Sequence, residues 1–319
     1  MRIYLYPIAL IGFVIFWGLA SKPLPVQTLF NDYWPSALTM IFGSFVAGVT
    51  PLGGGAVAFP VFTKVLDINA LDSKYFSLLI QSVGMSFASL FLISRRAVIL
   101  WRPLVYCLPL SCVVIPATLY SGLHNNDWIK FAFSEFILLT ACVIWLCQHS
   151  VQQKKHPLEN KVPLLILSSV IGSFLSASIG SGSDVVMFFM LVFILKYPLK
   201  QAIPTTVLLM AFNALNASAW LLYLKPVQLS EFVINSWWAA ALVVAIGAPF
   251  GAWILLIIRE SILRKLIYII IIFELSTTVF IAKLPLAFNL TLIISSLLVL
   301  ATIFINLHQQ NKRRHHKKL

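Results

Sequence analysis

Apolar residues in this chain come in runs of spanning length rather than in the short periodic faces of a soluble domain. Such runs recur at Ile3–Ala20, Tyr75–Ser94, Val98–Tyr120, Trp128–Cys147, Ile203–Leu224, Phe232–Ile258, Ile262–Ala282 and Leu286–Leu307. Each can cross the roughly 30 Å hydrocarbon core as a helix, which takes about 20 residues. The pattern predicts an all-α polytopic membrane protein with about eight transmembrane helices. Composition agrees, since 60% hydrophobic residues, 10% charged residues and a mean hydropathy of +0.93 exclude an ordinary soluble domain. The first run follows Arg2 and ends in Gly18-Leu19-Ala20, as a signal peptide would, but its length favours an uncleaved first helix.

Two further apolar segments are broken by small residues. Pro51-Leu52-Gly53-Gly54-Gly55 interrupts Ser36–Leu66, and Gly180-Ser181-Gly182-Ser183-Asp184 interrupts Val162–Leu195. The breaks lie 129 positions apart, and Gly43-Ser44-Phe45 before the first reappears as Gly172-Ser173-Phe174 before the second. Ungapped comparison of 43–122 with 172–251 gives 15 identities in 80 positions, roughly twice what chance gives a chain this apolar. As continuous helices the two segments would run about 46 and 51 Å, too long for one span. Their second arms, Ala56–Leu66 and Val185–Leu195, are too short to span alone. Re-entrant hairpins fit both lengths. The expected organisation is an N-terminal helix and loop (1–35), a first repeat of a broken helix plus three spans (36–147) and a linker (148–161). A second, inverted repeat (162–282), a final helix (283–307) and a basic tail (308–319) follow.

The formal charge of +13 is distributed in loops and in Lys312–Lys318, which fits the positive-inside rule and not nucleic-acid binding. With both termini and the linker inside, 17 of the 23 Lys and Arg are cytoplasmic. Lys22, Lys64, Lys74, Lys130, Lys225 and Lys283 stay outside. If each broken segment crossed once, the split would fall to 14 against 9, so hairpins serve the rule better. The tail reads as a topology anchor that can also meet anionic lipid headgroups. Cys107, Cys112, Cys142 and Cys147 lie in predicted spans without metal-type spacing, and read as small packers.

The chemistry expected at the breaks is anion binding. A helix that starts inside the membrane presents N–H groups without intrahelical acceptors and the positive end of its dipole. The candidate substrate-binding set is Gly53, Gly54, Gly55 and Ala56 at the first break, and Gly180, Ser181, Gly182, Ser183 and Asp184 at the second. Gln81, Asn213 and Asn216 are polar groups that either line a cavity or bond helices together. On packing grounds alone the glycines serve close helix contact. The sharpest test expected from the sequence is Gly54→Leu, which would cover the backbone donors. Asp184 either caps the helix beginning at Val185 or takes a proton. Glu274 and Glu135, acids inside predicted spans, are the other proton-coupling candidates. No metal or cofactor is implied. Gly180-Ser181-Gly182 also resembles the serine motif of rhomboid proteases. None of the six histidines lies deep in a span to serve as base, so an enzyme is excluded. No ATPase-type phosphate loop is present.

Gly43-(x)4-Gly48-(x)4-Gly53-Gly54-Gly55-(x)4-Pro60, repeated in degenerate form from Gly172 to Phe189, resembles the sulfite exporter TauE/SafE family of membrane permeases. The resemblance covers roughly 36–282. The second copy departs from the glycine-rich pattern, with Ser183 and Asp184 in place of Gly54 and Gly55, and Phe189 opposite Pro60. The resemblance implies a bacterial inner-membrane anion permease for sulfite, sulfoacetate, thiosulfate or a related sulfur-containing anion. Its partners would be that small anion, lipid and, if coupled, a proton. A homo-oligomer is compatible with all of this. Three readings stay open at this level: a secondary transporter, an uncoupled anion channel, and a non-transporting membrane scaffold.

Overall fold

The computed structural model describes residues 2–21, 26–122, 161–224 and 228–263, with single positions between 127 and 138 and between 265 and 295. Most of the expected spans Trp128–Cys147, Ile262–Ala282 and Leu286–Leu307 lies outside the described residues. So do the linker, the basic tail and Glu274.

The described chain is helical. Its elements are α1 (Leu5–Ala20), α2 (Val26–Val49), α3 (Gly55–Pro60), α4 (Ala70–Ser94), α5 (Trp101–Tyr120), α6 (Val162–Ile179), α7 (Ser183–Phe189), α8 (Leu199–Ala219) and α9 (Glu231–Ile257). Five helices among the described residues are long and apolar enough to cross a membrane: α4, α5, α6, α8 with its extension to Leu224, and α9. Their surfaces are arranged for lipid. Val105, Val113, Leu167, Ile246, Phe250 and Ile257 are exposed, while Ser77, Gln81, Ser173, Ser178, Asp184 and Asn213 are buried. An apolar outer surface over an interior of mixed apolar and polar side chains fits a hydrocarbon solvent.

Without a hydrophobic force between helices in lipid, close packing relies on small residues. The α2–α9 contact shows this directly. Gly247-x-x-x-Gly251 on α9 lies against Ser44-x-x-x-Gly48 on α2, so that a Cβ on Gly48 would strike the Ala248 carbonyl and one on Gly251 the Phe45 carbonyl. Ser36 Oγ donates to Ser236 Oγ at 2.9 Å along the same seam. On the other side α5 packs on α6, where Ser169 Oγ donates to the Cys107 carbonyl at 3.0 Å. Helix α4 is the most buried span, packed on α9 and α8. Trp237 Nε1 donates to the Leu79 carbonyl at 3.2 Å and Ser218 Oγ to the Leu78 carbonyl at 3.4 Å.

At both breaks the chain doubles back. Gly43 leaves room for the Gly54 carbonyl, 3.4 Å from where its Cβ would stand, and Gly172 leaves room for Ser183 Cα at 3.0 Å. The repeated glycine of Gly43-Ser44-Phe45 and Gly172-Ser173-Phe174 is therefore the place where a returning arm touches the entering one. Each returning arm then widens into a π turn, Val61–Val65 and Met190–Ile194. Each closes through the same bonds, Ile68 N–H to Phe62 O at 2.8 Å and Tyr197 N–H to Leu191 O at 2.9 Å. Asp67 and Lys196 follow with φ of 53° and 60°. These features recur at the 129-residue offset of the glycine breaks.

The first entering arm is longer than the sequence suggests. Helix α2 starts at Val26 rather than Ser36, bending at Tyr33 next to Pro35. At 18 residues α6 runs about 27 Å. Both reach well past a midplane if they stand upright.

Candidate functional site at the paired helix breaks

The first break begins where Pro51 disfavours helical geometry in Thr50. Thr50 Oγ1 donates back to the Val46 carbonyl at 2.8 Å and accepts from Leu52 N–H at 3.3 Å. Gly53 turns the chain with φ of 66°, and α3 restarts at Gly55 with Gly54 as its cap and Ala56 as its second residue. At the second break Gly180, with φ of 85°, closes α6 through its N–H to the Ser176 carbonyl at 2.9 Å. Gly182, with φ of 140°, opens α7. Such angles favour glycine because a Cβ would crowd the adjacent carbonyl.

The structure brings the two breaks together. Ser181 Oγ donates to the Leu52 carbonyl at 3.4 Å. A Cβ on Gly53 would stand 2.9 Å from Asp184 Oδ2, 3.0 Å from Gln81 Oε1 and 3.2 Å from Ser181 Oγ, so three oxygens converge on the bare glycine. Gly55 faces Ser77 Oγ and Ser181 in the same way, at 3.0 and 3.3 Å. Helix α4 clamps the second break from one face. Ser77 Oγ donates to the Gly180 carbonyl at 3.0 Å. Gln81 Nε2 donates to the same carbonyl at 2.8 Å, and to Ser77 O and Oγ at 3.0 and 2.7 Å.

Several expectations change in detail. Asp184 does not cap α7, which begins one residue earlier behind Gly182. It lies in the first turn, 1% exposed, where its Oδ1 accepts from Val185 N–H at 3.0 Å and its Oδ2 has no hydrogen-bond partner. The Ser183 hydroxyl is spent on the Met210 sulfur at 3.1 Å rather than left as a free donor. Gly54 faces α2, where a Cβ would meet Met40 Cε at 3.3 Å. A leucine there would wedge the two arms apart and not cover the donors, so Gly54→Leu is the wrong test. Gly53 is the residue that faces the second break and Gln81.

The two asparagines separate. Asn216 Nδ2 donates to the Ser111 carbonyl at 3.0 Å and ties α8 to α5. Asn213, fully buried one turn from Met210, has no hydrogen-bond partner for either amide atom. Ser173 and Ser178 on α6 also carry buried hydroxyls without partners. Buried polar atoms are otherwise paired almost without exception in proteins; Ser86, Ser89 and Trp220 share this lack of a partner elsewhere in the fold. Glu135 is half-buried and accepts from Ser295 Oγ at 2.8 Å.

Lys74 is the residue that sequence reasoning missed. It counts there among the exterior loop charges, yet the structure buries it to 2% exposure in α4, with Nζ 5.7 Å from the Tyr75 ring centroid. Its carbonyl touches Gly180, 3.1 Å from where a Cβ would stand. The signal that could have found it is the spacing Lys74, Ser77, Gln81, which puts all three on one face of a helix. Among the described residues no three His, Cys, Asp or Glu side chains gather as metal ligands do.

Apolar-faced spanning helices, buried polar groups and two helices broken at facing glycine turns define a multi-pass helical membrane protein. Residues 36–276, most of the chain, match the model of the family described as sulfite exporter TauE/SafE. The chain belongs to that family, which is one of transporters and not of enzymes. No curated protein and no solved structure gives a match.

Proposed function

We propose that the protein is a secondary transporter for a small, sulfur-containing anion such as sulfite, sulfoacetate or thiosulfate, bound where the two breaks meet. The observation that carries this is the convergence of Gly53, Ser181 and Asp184 in one buried place. Residues 129 apart in sequence reach one site, as two halves of a transporter do around a substrate. The first-turn N–H groups of α3, and those of α7 ahead of Val185, supply donors without a fixed charge, and family membership supplies the class of cargo. In this reading the recurring elements are two inverted repeats. Eight spans and two re-entrant hairpins sit in a bacterial inner membrane with both termini cytoplasmic.

Binding decides it. Purified protein is heated with sulfite, thiosulfate, sulfoacetate or chloride, and uptake of each stabilising anion is then followed in proteoliposomes. A ligand at about 100 times its Kd stabilises by roughly 2.7 kcal/mol, enough to move the melting temperature by several degrees. A transporter is stabilised by one of these anions and concentrates it against its own gradient when a proton gradient or membrane potential is imposed. A protein that no sulfur anion stabilises and that moves none of them would sink the proposal. Flux that only equilibrates would mean a channel.

A further inference from the structure

The hydrogen bonds of the Gln81 amide set its orientation. With Oε1 and Nε2 exchanged, an oxygen would face the Gly180 carbonyl at 2.8 Å and the Ser77 carbonyl at 3.0 Å, with no hydrogen between them. Nε2 therefore points to Gly180 and Oε1 points the other way, towards Gly53. There it shares its surroundings with Asp184 Oδ2, the two oxygens lying 3.0 and 2.9 Å from a common point. Both are buried and neither has a hydrogen-bond partner. Two acceptors facing one small space are unfavourable until something positive stands between them.

We propose that a proton fills this role: Asp184 takes it on Oδ2 and donates it to Gln81 Oε1, directly or through one water. The inference rests on the anion-permease reading and adds the coupling step to it. A proton suits the place better than a metal cation. Hard cations gather six or more oxygens, whereas here the Ser181 hydroxyl is already turned to Leu52 and the Ser77 hydroxyl to Gly180. Oδ1 keeps the role of acceptor, since Val185 N–H donates to it.

The neighbouring titratable groups do not replace the proton. On α4 they are Asp72, Lys74 and Tyr75, and no Lys74–Asp184 ion pair forms. Val162–Ile179 of α6, Thr50–Gly55 of the first break and the rest of 183–194 carry no titratable side chain. On α8 the one such group is Lys200, which donates to the Leu256 carbonyl. An oxyanion entering beside Gly53 would meet a carboxylate if Asp184 were charged, and a neutral hydroxyl once it is protonated. Proton and anion then favour each other's binding by the same factor.

The test uses infrared difference spectra of the purified full-length protein, titrated with acid in the absence of any anion. We expect a protonated-carboxyl band that is lost in Asp184→Asn and moves to higher frequency in Gln81→Met, which removes the acceptor. Asp184→Asn should stay folded, because its amide can donate to Gln81 as the protonated acid does. If it folds poorly, Gln81→Met carries the test through the shift alone. A band unchanged in both variants overturns the inference, as does sodium-dependent stabilisation of the wild type with no carboxyl band. Anion binding without the band leaves the permease reading standing and removes the proton site. The band without anion binding does the reverse.

Discussion

Gly53 and Gly54 are adjacent, yet the structure gives them opposite sensitivities to one methyl group. Gly53→Ala puts a Cβ residue at φ of 66°, which costs roughly 1–2 kcal/mol for the left-handed backbone. The new methyl also lands about 3 Å from three oxygens, of which the Gln81 amide is held by its own bonds to α4 and Gly180. Crowding of this kind adds about 1–3 kcal/mol. Gly54→Ala keeps a helical φ of −68°. Its methyl meets the flexible Met40 end at 3.3 Å and the Gly43 carbonyl at 3.4 Å. Reduced freedom of the unfolded chain offsets this by about 0.4–1 kcal/mol, so the net change is close to zero. We expect Gly53→Ala to unfold several degrees lower than Gly54→Ala in detergent, and to lose anion binding even below its melting temperature. Gly54→Ala should bind and transport as the wild type does. Thermal unfolding monitored by tryptophan fluorescence, paired with uptake in proteoliposomes, reads both effects. Equal stabilities, or a Gly53→Ala protein that transports normally, would refute the placement of the site at Gly53.

Three further outcomes follow from other parts of the molecule. Gly251→Ala should cost about 3 kcal/mol or more and reduce membrane yield, because its methyl meets only α2 backbone. Gly12→Ala, with nothing within 4 Å, should be neutral or slightly stabilising in the same expression and melting assay. Asn216→Leu should lose about 1 kcal/mol with its bond to Ser111, whereas Asn213→Leu breaks no bond. The second variant should melt no lower than the wild type and lose uptake instead. Single cysteines at exposed positions 67 and 198, in a background without the four native ones, should label from opposite sides of the membrane. Labelling of both from one side removes the inverted arrangement.

How much of this was legible depended on whether the signal was local. The breaks could be read from the sequence because glycine at a left-handed φ is a local requirement, met by Gly53, Gly180 and Gly182. The doubling back was legible in outline from arm lengths, and its contact point was written in the repeated Gly-Ser-Phe. Asn216 as a helix tie was one of two readings that the pattern offered. Contacts between distant segments were not legible. That the hydrogen bonds of α4 go to the second break, although it also touches its own, follows from how helices cross, so the bonds of Ser77 and Gln81 to Gly180 had no sequence signature. Lys74 was misplaced for the same reason, since a lysine four residues into a helix looks like a loop charge until a second segment covers it. The face that Gly54 presents to α2 also depends on the returning arm, which is why Gly53 and not Gly54 is the position to test.

The two halves differ where it matters chemically, and the differences come in matched pairs. Taking the 129-residue offset, Gly54 and Gly55 correspond to Ser183 and Asp184, and Gln81 corresponds to Met210. Each added polar group at the second break finds its counterpart in the interior. The Ser183 hydroxyl turns to the Met210 sulfur, and Asp184 Oδ2 shares the Gly53 space with Gln81 Oε1. Strict symmetry would give either no ionisable group at the site or two. Two carboxyls in so small a buried space could not both ionise, because like charges at such range repel strongly in a low dielectric. A glycine at position 55 and an aspartate at position 184 leave one. A single carboxyl between two neutral breaks can carry one proton beside one anion, and Gly53, having no side chain, leaves the space in which the two would meet.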